Sequence, residues 1–310
     1  MRTIDRQRGV AIITALLIVA IATTVSVTLS TRLQLDVRRT GNMIAGDQAY
    51  LYTLAAESWS QRILRNDREQ SQIDHLGEDW AIELPPLPVE GGYIQGKLTD
   101  LQSCLNLNNL LATNAANSVS RARLENMLDN LGIDKGNVQA IIDWIDDDLQ
   151  TTIPEGAEDV YYMNLERPYR SANAPLQSVS ELRLIRGFED PEVYNTLLPH
   201  VCAFGISAPI NINTATEEVL RSLADELNDN DVEQIIERRT ESAFNNINEF
   251  TSFNDLNKKI ASTEGLSVDT EYFMLATKST IGQVTAIIYS IIYRGSDGNT
   301  RVIARSQGVY

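Results

Sequence analysis

Cysteine, histidine and positive charge are all scarce in this chain of 310 residues. It has two cysteines, Cys104 and Cys202, which cannot by themselves hold a metal cluster. Its two histidines, His75 and His200, lie far apart, with no Cys, Ser or Asp pattern around them to suggest a nucleophile. No phosphate-cradling glycine loop and no nucleophile elbow occurs. Lys and Arg number 26 against 42 Asp and Glu, a net charge of -16. So acidic a chain repels a phosphate backbone, which makes nucleic acid a poor partner. These shortages argue against both an enzyme and a nucleic-acid binder.

What is present begins at the N-terminus. Residues 1–9 read MRTIDRQRG: basic, polar and closed by glycine. Residues 10–31 follow without a charge until Arg32, and as a helix they span about 33 Å, enough for a hydrocarbon core of about 30 Å. An ordinary secretory signal has a shorter apolar core and a small-x-small cleavage site after it; a plain signal anchor fits the run better. A third reading is the prepilin leader, cleaved on the cytoplasmic side, after a glycine and before the apolar stretch. Arg8-Gly9 followed by Val10-Ala11-Ile12-Ile13 resembles that junction, with cleavage between Gly9 and Val10. Loss of the leader removes three arginines and one aspartate, which takes the net charge from -16 to -18.

The location of the body decides how the cysteines read. Outside the cytoplasm they form one disulfide, Cys104–Cys202; inside it they are small core residues. Helical periodicity continues beyond the membrane run through Leu33, Leu35, Leu51, Leu54, Trp59, Ile63 and Leu64, with Gly41 and Gly46 interrupting the pattern without ending it. A Pro-rich stretch at 85–88 precedes a strand from Gly91. At the far end, residues 283–293 are β-branched and aromatic, 296–299 read as a turn, and 300–306 as the returning strand. Between these regions the signals are almost all helical, at 124–131, 138–145, 217–223 and 232–239. Thr214 with Glu217 reads as a capping box that starts one of these helices.

The leader, the motif DLQSCLNLN at 100–108, IDWIDDD at 142–148, GAEDVYY at 156–162 and ININTA at 210–215 together resemble the K minor pseudopilins of type II secretion. The likeness spans nearly the whole chain, in the family's order. It implies an α+β, pilin-like fold: a long N-terminal transmembrane helix packed on a small antiparallel sheet, with a large all-helical insertion. The division expected is leader 1–9, transmembrane helix 10–31, periplasmic helix 32–80, sheet 91–104 and 277–310, and insertion 105–276. It also implies a single-pass inner-membrane protein with its body in the periplasm. Its expected role is to cap or initiate the pseudopilus tip and so assist export of folded proteins across the outer membrane. Implied partners are two other minor pseudopilins, the prepilin peptidase and the inner-membrane secretion platform. Most pilin-like subunits carry Glu at mature position five, thought to pair with a neighbour's terminal amine toward the tip. Here that position is Thr14, which suits a subunit with nothing above it. The class is also N-methylated at the new terminus, where Val10 stands in place of the common Phe.

The densest acidic run is Asp143, Asp146, Asp147 and Asp148, then Glu155, Glu158 and Asp159. One reading is a solvated helix end and loop. The other is a calcium site, because these hard oxygen ligands flank a loop with Pro154 and Gly156 that can fold back, and no soft ligand is near to favour zinc. The resemblance also implies calcium in the insertion, with Asp146, Asp148, Glu158 and Asp159 as ligands and Asp147 and Glu155 in reserve. Residues 210–239 additionally resemble a helix-hairpin-helix DNA module, which makes a membrane-anchored DNA-uptake protein the alternative. Its hairpin, at 224–231, has four acids and no glycine, so the motif is expected to survive as packing. Asp100, Asn106 and Asn108 read as turn and capping residues around Cys104.

Overall fold

The computed structural model describes residues 8–83, 85–111, 115–205 and 207–308; residues 1–7 of the expected leader lie outside them. Helix α1 runs from Arg8–Gln70, 63 residues, or about 95 Å of axis. Its membrane-length segment has a mean hydropathy of 2.6 and none of it is covered by the rest of the protein. Six hydroxyl side chains within it bond backward along the helix. Thr14 Oγ1 lies 3.0 Å from the carbonyls of Val10 and Ala11, and Thr23, Thr24, Ser26, Thr28 and Thr31 do the same one turn back. No hydroxyl among these is left unsatisfied in a medium without water.

Helix α1 ends at Gln70, ten residues short of the expected boundary at 80. Ser71 Oγ donates to the Ile73 carbonyl and accepts from the Ile73 amide, turning the chain off the helix axis. Asp74 is then fully buried, and a 3₁₀ turn at Asp79–Ala81 seats Trp80 edge-on against Phe273 at 5.2 Å.

The sheet contains β1 (Leu87–Val89) and β2 (Gly92–Asp100) from the front of the chain. From its end come β7 (Tyr272–Ile281), β8 (Val284–Arg294) and β9 (Thr300–Gln307). The order is β1-β2-β7-β8-β9, and every pairing is antiparallel. β7 starts at Tyr272 instead of 277, because Phe273, Met274 and Leu275 face Asp100, Thr99 and Leu98 in register. The β1 edge is guarded by Pro88 and its neighbours Pro85 and Pro86, which donate nothing to an incoming strand. At the β1–β2 turn a Cβ on Gly92 would stand 1.8 Å from the Thr280 carbonyl, so only glycine fits there.

The way α1 meets this sheet departs from a simple apolar stripe. Its buried face is Ala49, Thr53, Glu57, Ser60 and Leu64, while Leu51 and Trp59 stay 63% and 43% exposed. Small and polar residues let the helix approach β8 closely. Glu57 is matched by the Ser290 hydroxyl at 2.6 Å and by both sides of the Arg305 guanidinium at 2.7 and 2.8 Å.

The insertion leaves after β2 and returns before β7. It comprises β3 (Leu105–Asn106), α2 (Ala115–Asn130), α3 (Val138–Ile145), α4 (Asp159–Met163), α5 (Pro191–Leu197) and β4 (Val201–Cys202). There follow β5 (Ile210–Asn211), α6 (Glu217–Arg221), α7 (Asp229–Glu241), α8 (Ile247–Ser252) and β6 (Leu266–Ser267). Leu128, Ile141, Trp144, Tyr162, Phe188, Ile212, Leu220 and Phe250 share one core with little solvent exposure. The insertion is thus mainly helical but not all-helical: β3 pairs with β4 and β5 with β6, both parallel. These short ladders lie where the insertion joins the sheet-bearing body, and buried backbone groups there need partners. Cys104 and Cys202 are disulfide-bonded at the same seam, with Cα atoms 5.9 Å apart. Thr214 is not the cap of α6. Thr216 is, accepting from the Val219 amide, while the Thr214 hydroxyl is buried and donates to Asp100 at 2.5 Å.

Candidate metal centre

The acidic loop joins two helices. Apolar spacing drives α3, which buries Val138, Ile141, Trp144 and Ile145 and leaves its C-terminus at Asp146. Glu158 is the residue before α4, the next helix. Between them the chain doubles back around Asp143, which is fully buried and accepts from the Thr152 amide at 3.0 Å. A Cβ on Gly156 would lie 2.2 Å from Asp143 Oδ2 and 2.3 Å from the Thr152 carbonyl, so this return requires glycine.

The fold brings Asp146, Asp148 and Glu158 together, with one oxygen from each lying within 4.8 Å of the others. Calcium–oxygen distances of about 2.3–2.6 Å place ligand oxygens up to about 5 Å apart across an ion, so the span fits. Asp146 Oδ1 and Glu158 Oε1 are buried without a hydrogen-bond partner among the described residues. A buried carboxylate oxygen with no partner is costly, and a cation would satisfy both. Burial, and then the charge of Asp148, pushes the Asp146 carboxyl up to about 6. Burial pushes Glu158 up to about 7, with Asp143 and Asp146 adding to the rise and the Ser171 hydroxyl opposing it. All the donors are hard oxygens, as calcium prefers.

The other expected residues are used differently. Asp159 accepts from the Ser171 amide and hydroxyl and faces Arg170 at 3.8 Å, so it braces the loop. Glu155 pairs with Arg186 at 2.7 Å, and Arg186 also donates to the Gly156 carbonyl and lies over the Tyr161 ring. Asp147 is exposed. Asn173 was not legible from the sequence. Its backbone is left-handed (φ 45°), its amide donates to the Trp144 carbonyl, and its side-chain Nδ2 is 3.4 Å from the Asp148 carbonyl. Its Oδ1 is another buried oxygen without a partner. A lone Asn 25 positions after Asp148 carries no local signal of this role.

The segment resembling a DNA-binding hairpin is closed to phosphate. Arg239 donates to the Ile212 carbonyl, Arg238 pairs with Glu249, and Lys259 holds Asp231. Asn213 is buried and exchanges hydrogen bonds with the Phe244 backbone, so the motif serves packing. Asn106 and Asn108 likewise bond to the carbonyls of Gly205, Leu176 and Phe204, fastening distant segments of the insertion.

Comparison with known proteins agrees over the whole chain. Two family profiles, both described as type II secretion system (T2SS), protein K, match residues 103–205 and 210–269. The type II secretion system protein K of Pseudomonas aeruginosa is 35% identical, over 97% of this chain and 93% of that protein. The protein K of Aeromonas hydrophila is 31% identical over 99% of both. In the crystal structure of the GspK-GspI-GspJ complex from the enterotoxigenic Escherichia coli type 2 secretion system, one chain superposes with a TM-score of 0.79. It is 26% identical, and the match covers 88% of this chain and 100% of that one. With a transmembrane-length helix, an antiparallel pilin-like sheet and a large insertion all in the same order, the chain belongs to the type II secretion system protein K family, the minor pseudopilins of that system.

Proposed function

We propose that this minor pseudopilin sits at the tip of the pseudopilus, where it caps or initiates the filament. The observation that carries this reading is Thr14. Its hydroxyl is fully engaged by the Val10 and Ala11 carbonyls, and it offers no carboxylate to the terminal amine of a subunit above. An unpaired charge in lipid costs several kcal/mol, ~2.5–3.5 on insertion scales, so a subunit above this one is disfavoured. The Val10 amine can still be met by a Glu from below. The insertion adds bulk where β2 ends and β7 begins.

In this reading the prepilin peptidase cuts between Gly9 and Val10, and the amine of Val10 is the methylation site. Helix α1 crosses the inner membrane once and the disulfide-bonded body lies in the periplasm. The chain assembles with two other minor pseudopilins, as its relative does in the solved complex, and engages the inner-membrane platform. Calcium is structural: Asp146, Asp148 and Glu158 hold it, Asn173 supplies a neutral oxygen, and the ion fastens the loop between α3 and α4. We assign no catalytic step to any residue. Labelled protein should appear about once per filament, at one end. Labelling along the shaft in proportion to length would refute the tip assignment.

A further inference from the structure

Two arginines are buried among the described residues, Arg294 at 2% exposure and Arg123, on α2, at 4%. Arg294 is matched: it donates to Asp67, to both oxygens of Asp74 and to the Leu64 and Thr270 carbonyls. Arg123 is not. Its Nη2 donates to the Ser262 carbonyl at 3.2 Å, and its Nε is buried without a hydrogen-bond partner among the described residues. Glu264 is exposed and acts on Arg123 through charge alone, without a hydrogen bond. Burial draws the guanidinium down to about 10, with Glu264 opposing. A buried charge is tolerated when an opposite charge and hydrogen bonds offset its desolvation, and Arg123 has one carbonyl.

The fold places this guanidinium at a chamber. Arg123 and Ser120 line a cavity of about 20 Å³ whose other walls include Leu105, Leu107, Leu110 and Ile210. That is room for one water or one ion of similar size. No carboxylate lines it. Ser120 and Gly265 also border a hollow of about 190 Å³ beside it, lined further by Ser207, Pro209 and Glu264. Walls of this kind, with one cation and one hydroxyl among leucines, suit a small monovalent anion. A sulfate or phosphate would set most of its oxygens against apolar side chains, without hydrogen bonds. The chamber also sits at a junction. Gly265 is left-handed (φ 69°), and a Cβ there would stand 3.3 Å from Arg123 Nη1. The Gly265 carbonyl accepts from the Ile210 amide, where β5 begins.

We propose that Arg123 and Ser120 hold a small monovalent anion of chloride size in this chamber, where it fastens α2 to the loop that precedes β6. The site is separate from the acidic loop and from the reading of the chain as a tip subunit. The anion supplies the Nε of Arg123 with an acceptor and neutralises the guanidinium where no side chain does so.

The test compares thermal melting of the full-length chain in detergent, in potassium chloride and in potassium methanesulfonate, whose anion is too large for the chamber. Ionic strength and calcium are held equal. Chloride should raise the melting temperature saturably, by about 2–4 °C, and bromide should do the same. Arg123→Met should lose this response and melt in methanesulfonate no lower than the wild type, because no buried charge remains. Ser120→Ala alters a half-buried side chain and should move the chloride midpoint to about two- to tenfold higher concentration, the loss of one hydrogen bond. An equal chloride response in Arg123→Met would assign the effect to the surface at large and overturn the inference. An unchanged midpoint in Ser120→Ala overturns it too, and is legible even where Arg123→Met does not fold. Equal melting of the wild type in the two salts also overturns it. Destabilisation by Glu264→Gln would then identify Glu264 as the counter-ion.

Discussion

Arg294 Nη2 donates to both carboxylate oxygens of Asp74 at 2.5 Å, across 220 residues of chain, and neither side chain exposes more than 1% of its surface. Arg294 also reaches Asp67 at 2.8 Å and lies 4.9 Å from the centre of the Phe273 ring. The last residue of β8 therefore ties down the end of α1, the segment after it and the start of β7. From Asp74 the hydrogen bonds pass through Asn211 and Thr270 to Asp100 and on to Thr214. This buried polar chain joins the pilin-like body to the insertion.

Arg294→Met should be strongly destabilising, because it strands Asp74 as a buried anion. Removal of one partner of such a pair costs about 3–5 kcal/mol. Thermal melts in detergent followed by fluorescence of Trp80, which packs on Phe273, will measure it. Arg294→Met combined with Asp74→Asn should recover part of the loss. A single variant that melts like the wild type would show that the pair contributes little.

Calcium should raise the melting temperature of the chelator-treated protein. An ion present at a hundredfold excess over its dissociation constant stabilises by about 2.7 kcal/mol. Asp146→Asn should lose that response. Gly156→Ala should lose it as well and destabilise by about 1–3 kcal/mol through overpacking against Asp143 and Thr152. Identical melting with calcium and with chelator would remove the metal from the account.

Stability at saturating calcium should fall as pH rises from about 5 to about 7. Burial raises Asp100 to about 6 from an unfolded value of 3.8, and Asp67 is raised to about 7. The folded chain thus binds more protons than the unfolded chain between about pH 4 and pH 7, so this contribution is full below the unfolded values and is lost as pH rises through the folded ones. Glu57, lowered despite its burial by Arg305 and Ser290, works in the opposite sense below about pH 4.5. Asp100→Asn should be less stable at every pH but show a shallower slope. An unchanged slope would assign the effect elsewhere.

Replacing both Cys104 and Cys202 by serine should cost about 4–5 kcal/mol, the chain-entropy value for a loop of about a hundred residues. That loop holds the acidic site, so calcium affinity should fall in step. Denaturation midpoints with and without calcium test both effects. Two free thiols in wild-type protein isolated without reductant would show that the bond does not form in the cell.

How far these features could be read before the fold was known varies with their range. The bounds of α3 followed from apolar spacing at 138–145, and the turn at Asp297 and Gly298 from local chemistry. In α1 the helical period of apolar residues runs through Leu51 and Trp59, which stay exposed. The sheet instead took Thr53, Glu57 and Ser60, because Glu57 had partners in β8 and β9 that no helical period reveals. Thr214 resembled a cap because Glu217 stands three positions on, yet a buried carboxylate from β2 claimed its hydroxyl. In the acidic loop, the sequence pointed to four carboxylates as ligands, Asp146, Asp148, Glu158 and Asp159, with Asp147 and Glu155 in reserve. Folding separated Asp146, Asp148 and Glu158 from Glu155 and Asp159 by giving the latter their own partners.

By itself, then, the sequence determined what depends on neighbours along the chain. These are the uncharged membrane-length run, the absence of a carboxylate at Thr14, the β-branched strands near the end, and an acidic loop with glycine at its return. Hydropathy, backbone propensity and charge density act within a few residues, so they can be read in order. Tertiary structure alone decided which face of α1 is buried, that Arg294 sits between Asp67 and Asp74, and that Asn173 comes beside Asp148. It also decided that Arg123 is buried against Gly265. Each of these joins groups separated by tens to hundreds of residues, and their energies exist only after the intervening chain has been ordered, at an entropic cost repaid by the whole core together.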